Sequence, residues 1–291
     1  MRIENKLRKR ISRVLTTVLL FPLFACTSAF AQTGFSPDGK PLGPGYDPAL
    51  IAKSSQNAAD EAAEAAGQNT PAGPGVLTTT MSNGRVVDIL KPMVAITFDD
   101  GPQTTSGGRI LDTFAAYGQR ATFFLVGDRI PSRAAEVQRM IAEGHEIGNH
   151  TYSHKILSKV GAETVRSQVV GCNEAVAAAT GVTPAVMRLP GGGKNSTVLA
   201  NVNMPVVLWN VDTEDWKYRN ADHVINEVIG KVKDGDIVLM HELYGSTATA
   251  VETIVPALVS QGFQLVTVSE LARFRGYELV PGQVYYSFRL R

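Results

Sequence analysis

From Val86 to about residue 276, short apolar runs alternate with helix-length amphipathic segments. The runs at 93–98, 121–126, 145–149, 185–189, 205–210, 236–241 and 264–268 read as strands. Helical periodicity fills the intervals near 107–117, 132–143, 161–180, 196–201, 220–233 and 249–261. Strict strand–helix alternation implies parallel strands joined by helical crossovers. Runs such as Asp236-Ile237-Val238-Leu239-Met240 are apolar throughout, as expected of strands buried on both faces. A closed or nearly closed β/α barrel of about seven strands fits best, and an open doubly wound sheet is the alternative. No G-x-G-x-x-G follows the first strand, which weakens a dinucleotide reading.

Outside this region the texture differs. Residues 32–85 read as a low-complexity spacer: Gly- and Pro-rich from Gln32 to Pro48, Ala-rich from Ala58 to Ala66, and linker-like again from Asn69 to Gly75. The formal net charge is +1, but Arg2, Lys6, Arg8, Lys9, Arg10 and Arg13 against Glu4 give the first 31 residues +5, leaving −4 for the rest. That mildly acidic body argues against a nucleic-acid partner. The basic start, the apolar run from Val14 to Phe21 and the Ala29-Phe30-Ala31 site together read as a secretory signal peptide over 1–31, leaving no stable membrane span after cleavage. A secreted or periplasmic protein follows. In a rival reading, Leu23-Phe24-Ala25-Cys26 is a lipoprotein box and Cys26 carries a lipid anchor. With the leader cut after Ala31, Cys172 is the remaining cysteine and no intramolecular disulfide forms. Residues 277–291, including Val284-Tyr285-Tyr286-Ser287-Phe288, read as an edge strand, a packing tail or an interface, and no oligomeric state is fixed.

A barrel places function at strand C-terminal ends, and the conspicuous polar residues lie there. Asp99 and Asp100 follow the first strand, His150 and His154 the third, Arg188 the fourth, Asp212, Asp215 and Trp216 the fifth, and His241 the sixth. Adjacent carboxylates push one pKa up unless a cation or a proton is shared. Two imidazoles at i and i+4 share one face of a helical turn and reach a single metal. Two histidines and one carboxylate suit a hydrolytic zinc site and equally a ferrous oxygenase. With two aspartates, one can bind the metal while the other stays free as a base. Arg188 reads as a rim residue able to fix a carboxylate, and the glycines from Gly191 to Gly193 leave backbone N–H groups for an oxyanion. Beside a carboxylate, His241 can act as a general acid. His145 and His223 read as structural or exposed.

Taken in order, T-F-D-D-G-P, H-T-Y-S-H, R-L-P-G-G, D-T-E-D-W and L-M-H resemble the motifs of the polysaccharide deacetylases of carbohydrate esterase family four, which share the chitooligosaccharide deacetylase homology domain. The resemblance runs from about Pro92 to Gly276 and implies a distorted (β/α) barrel, with a catalytic domain over 86–276. It also implies metal-dependent removal of N-acetyl, sometimes O-acetyl, groups from sugars. By the same resemblance Asp99 is the catalytic base, Asp100, His150 and His154 are the metal ligands, and Arg188 tethers the base. Asp215 raises the pKa of the general acid His241, while Trp216 and Leu239 wall the acetyl pocket. Many members carry Tyr where this chain has Gly191, so the N–H of an oxyanion donor is retained and an aromatic wall is lost. Zinc is the expected metal, with other divalent ions able to substitute. The expected substrate is an envelope or extracellular glycan, peptidoglycan N-acetylglucosamine first, with chitooligosaccharides or poly-N-acetylglucosamine behind it. An inactive glycan-binding module is a further alternative.

Overall fold

The computed structural model describes residues 79–82 and 84–290. The expected signal peptide, Cys26 and residues 32–78 of the expected spacer lie outside the described residues. The first described element is an antiparallel hairpin of β1 (Thr79–Ser82) and β2 (Arg85–Asp88), which straddles the expected end of the spacer at residue 85. It is tied down by Val87, which is fully buried, and by Arg85, whose guanidinium donates to Leu265 O at 3.1 Å.

The sheet is built on β3 (Met93–Gly101), with parallel partners β4 (Thr122–Leu125), β8 (Asp236–His241) and β9 (Gln264–Leu265), and with β5 (Glu146–Asn149) paired in parallel to the far side of β4. Side chains alternate along β3. Val94, Ile96 and Phe98 pack outward against helices α1 (Thr105–Ala116), α6 (Ala221–Val228) and α7 (Gly245–Ser260). Met93 and Ala95 pack inward with Phe124, Val207 and Ile237. The same parity aims Asp99, paired with His241 in the ladder, to the inner side at the strand's end. The remaining helices are α2 (Ala134–Ala142), α3 (Ala162–Thr180), α4 (Ser196–Asn201), α5 (Asp215–Tyr218) and α8 (Val268–Phe274).

This is an α/β fold with a parallel sheet of the (β/α) barrel kind, and three expected strands are cut short. The run 185–189, bounded by Pro184 and Pro190, contributes bridges from Met187 to Asn149 and Val206. The run 205–210 keeps β6 (Val206–Val207), and β7 (Val211–Asp212) follows beyond it, because the chain leaves one neighbour and joins β8 instead. The run 264–268 ends early because Thr267 caps α8, its side chain accepting from the Glu270 amide while Glu270 reaches back to the Thr267 amide.

The tail fills the gap left beside β6. There β10 (Val284–Tyr285) pairs in parallel with β6, Phe288 is fully buried, and its amide donates to Gly235 O at 2.7 Å. Gly235 has φ +86, and a Cβ there would lie 2.5 Å from Arg289 Cα. Among the described residues, no helix is long and apolar enough to cross a membrane.

Candidate active site

The strand ends open into a cavity of about 440 Å³ lined by Asp99, Asp100, His150, His154, Gly191, Trp209, Asp212, Trp216, Leu239, His241 and Tyr244. Two consecutive aspartates reach it because β3 is bulged. Asp99 pairs with Phe124 and Gly101 with Leu125, so Asp100 is the extra residue. Its φ of 71 turns its side chain towards the same space as Asp99. The Asp100 carbonyl accepts from Arg129 Nη1, which holds the bulge.

His150 and His154 lie on a loop, not the helical turn that their spacing suggests. Left-handed backbone at Thr151 (φ 66) and His154 (φ 54) does the folding back, and the two rings come within 5.0 Å. His154 Nε2 is 3.0 Å and His150 Nε2 3.4 Å from Asp100 Oδ1. One ligand atom from each of the three falls within 4.8 Å of the others. His150 Nδ1 lies 2.9 Å from the Arg188 carbonyl, so Nδ1 carries the proton and the Nε2 lone pair faces Asp100. Asp100 Oδ1 is buried without a well-formed hydrogen bond. Burial opposes ionisation of Asp100, but the two imidazoles outweigh it and hold the carboxyl well below the usual range. Two imidazole nitrogens and one carboxylate, with room for further ligands on the cavity side, fit a divalent transition metal.

Arg188 is not a rim residue. It is fully buried, stacked 4.2 Å from the Phe124 ring. Nη1 donates to Asp99 Oδ1 at 2.9 Å and to Thr97 Oγ1 at 2.7 Å, while Nε and Nη2 donate to Val207 O and Leu208 O, each at 3.0 Å. Burial lowers its pKa and Asp99 opposes that. Asp99, 3% exposed, is thus oriented through one oxygen, with Oδ2 3.7 Å from His150 Nε2.

On the neighbouring strand end, His241 Nδ1 lies 2.7 Å from Asp215 Oδ1, which leaves Nε2 for the cavity. Asp215 is fully buried and also accepts from the amides of His241 and Trp216 and from Thr247 Oγ1. Burial lowers the His241 pKa, but Asp215, with Asp99 and Asp100, raises it above the ordinary value. Trp216 is 49% exposed and Leu239 buried, both on the cavity wall, and Gly191 has φ +61. The amides of Gly192 and Gly193 are occupied by Leu189 O and Pro190 O.

Trp209 and Tyr244 line the cavity unanticipated. Each lies three residues from an expected site residue, Asp212 or His241, and that proximity was the available signal. Asp212 accepts from Trp209 Nε1 at 3.2 Å, which orients that ring. Glu242 lies beneath the site, its carboxyl against Gly101. Burial pushes its pKa up to about 8, against a Gln103 amide and Arg129. His145 is buried, its Nδ1 accepting from the Ala121 amide, and burial lowers its pKa to about 3.

Residues 87–205 match the family described as polysaccharide deacetylase. A peptidoglycan-N-acetylglucosamine deacetylase of Bacillus cereus is 35% identical over 191 residues, which cover 63% of this chain and 89% of that protein. This chain belongs to the polysaccharide deacetylase family. Within that family, the peptidoglycan-N-acetylglucosamine deacetylase PgdA of Listeria monocytogenes is 39% identical over 66% of this chain, and the chain spans 41% of the length of that relative. The solved family 4 acetyl xylan esterase of Clostridium thermocellum, in complex with a cobalt ion, has 34% identity and a TM-score of 0.64. That match covers 67% of this chain and 98% of the other.

Proposed function

We propose that this polysaccharide deacetylase family member is a metal-dependent hydrolase that removes acetyl groups from N-acetylated sugars of a cell-envelope glycan, peptidoglycan N-acetylglucosamine in the first place. One observation carries the reading. A carboxylate oriented by a buried arginine and a histidine oriented by a buried carboxylate stand at neighbouring strand ends and face one cavity, beside a three-residue ligand cluster. The activities for which the Listeria and Bacillus relatives are named support the substrate class, and the leader-like residues 1–31 support export to the envelope.

Asp100, His150 and His154 would hold the ion, and the mixed nitrogen and oxygen donors favour zinc, with cobalt an eligible substitute given the Clostridium enzyme. A divalent ion supplies Lewis acidity towards a carbonyl and acidifies water. Asp99 is the base: its Oδ1 is fixed by Arg188, and Oδ2 is the oxygen left to take a proton from the attacking water. The Gly191 amide donates to the tetrahedral oxyanion. His241 Nε2, kept protonated by Asp215, gives its proton to the departing amine, and the products are acetate and a free amino sugar. Trp216 and Leu239 bound the space for the acetyl methyl.

The test is acetate release from peptidoglycan, chitooligosaccharides and acetylated xylan, with and without a chelator. The reading expects release from peptidoglycan that a chelator abolishes and added zinc restores. Binding of these glycans without acetate release would make the chain a glycan-binding module instead.

A further inference from the structure

Against Tyr244, a residue of the cavity wall, stands a cation that has no counter-ion among the described residues. Arg219 follows the one-turn helix α5 that carries Trp216, and its backbone is left-handed at φ 47, a conformation that non-glycine residues hold only when their surroundings enforce it. Its guanidinium lies 4.8 Å from the centroid of the Tyr244 ring, and Tyr244 lines the cavity beside His241. Arg219 Nε also points to the Trp216 carbonyl at 3.4 Å. The exposed side chain is therefore placed by Tyr244, through its ring and its side-chain hydroxyl, and by a carbonyl. Among the described residues, no carboxylate forms an ion pair with it. The acids that precede it at the cavity are engaged elsewhere: Glu214 with Lys217 at 3.0 Å, Asp215 with His241 and Thr247, and Asp212 with Trp209 and the Glu214 amide.

We infer that Arg219, held on Tyr244, is a binding site for a carboxylate carried by the glycan next to the N-acetylated sugar in the cavity. A neutral homopolymer offers this guanidinium nothing that water does not. A sugar bearing a carboxylate ether offers a planar two-oxygen partner that matches the free edge of the fork. The site deepens the deacetylase reading, on which it rests for the glycan: it makes the chain a reader of peptide-free strands, because the muramic acid carboxylate is an uncharged amide wherever a peptide is attached. It also places the acidic sugar on the Trp216–Tyr244 side of the cavity.

The experiment is calorimetric titration of the full chain with two tetrasaccharides, one alternating N-acetylglucosamine with the carboxylate-bearing N-acetylmuramic acid, the other neutral chitotetraose. Arg219→Asn is the variant, because asparagine tolerates left-handed backbone. Lys217→Gln removes a neighbouring exposed charge as the control. Arg219→Asn is expected to weaken the acidic ligand about tenfold, as for loss of a charge-assisted hydrogen bond, with chitotetraose affected much less. The difference shrinks as salt is raised, and Lys217→Gln changes neither. Equal weakening of both ligands, no weakening of either, or no binding of the acidic ligand by the chain that keeps Arg219 overturns the assignment. Every chain titrated also carries Asp99→Asn, which keeps the ion and slows turnover, so binding is read without hydrolysis and failure here is separate from failure to release acetate, which counts against the deacetylase reading alone.

Discussion

Two regions of the barrel are built on opposite terms. At the rim, Asp100, Thr151, His154 and Glu214 hold left-handed backbone without being glycine, and the charged groups Asp99 and Asp215 are buried. At the seam beside β6, a left-handed position is filled by Gly235, the buried group is the Phe288 ring, and the chain closes by backbone pairing. The rim accepts local cost to put polar groups in fixed relation, and the seam gains apolar burial that offsets it. Arg188 joins the two, because the guanidinium that orients Asp99 also binds the carbonyls of Val207 and Leu208 beside the seam. The difference yields a separation of effects: rim substitutions should remove rate, and seam substitutions should remove stability.

The sharpest break is expected at the ligand cluster. His150→Ala should lose the bound ion and fall to background acetate release while keeping a cooperative thermal transition, checked by metal analysis and melting. Asp215→Asn should lower kcat by about 10². It should also move the alkaline limb of the kcat–pH profile to lower pH. Protonated His241 is the active form and Asp215 raises its pKa, so activity falls as pH climbs through that raised value, and removing Asp215 brings the fall earlier. On the other side of the comparison, Phe288→Ala should cost about 3–5 kcal/mol of stability, as a large core ring replaced by a methyl does. Below its melting temperature, kcat should barely change. Gly235→Ala should cost somewhat less, about 1–2 kcal/mol for the backbone alone, with a further contribution from contact with Arg289. A rate loss in Phe288→Ala as large as its counterpart at the rim would mean that Arg188 transmits seam disorder to Asp99, and the separation would fail.

The rim was legible in the sequence and the seam was not, for physical reasons. The rim residues are chemically conspicuous, and the barrel pattern says which end they occupy. Long periodic elements were equally plain: α3 spans 162–180 against an expected 161–180, and β8 matches 236–241. What pattern could not show was backbone geometry. The bulge at Asp100 and the left-handed turn at His154 bring the ligand candidates together without the helical turn that the spacing suggested. Nor could it show that Arg188 is buried, since an arginine after a strand is usually solvated and this one is retained inside by four oxygens and an aromatic face. At the seam the contacts are long in sequence separation and short in length. Two-residue strands such as β6 and β10 carry no periodic signal, and Tyr285-Tyr286-Ser287-Phe288 reads equally well as an edge or a tail.

The most direct test of the account is Asp99→Asn, with metal content and acetate release measured on the same sample. The account predicts a chain that keeps one divalent ion yet turns over about 10² to 10⁴ times more slowly, because the ligand cluster is untouched and the base is gone. Near-normal acetate release by that variant, or loss of the ion together with the activity, would contradict it.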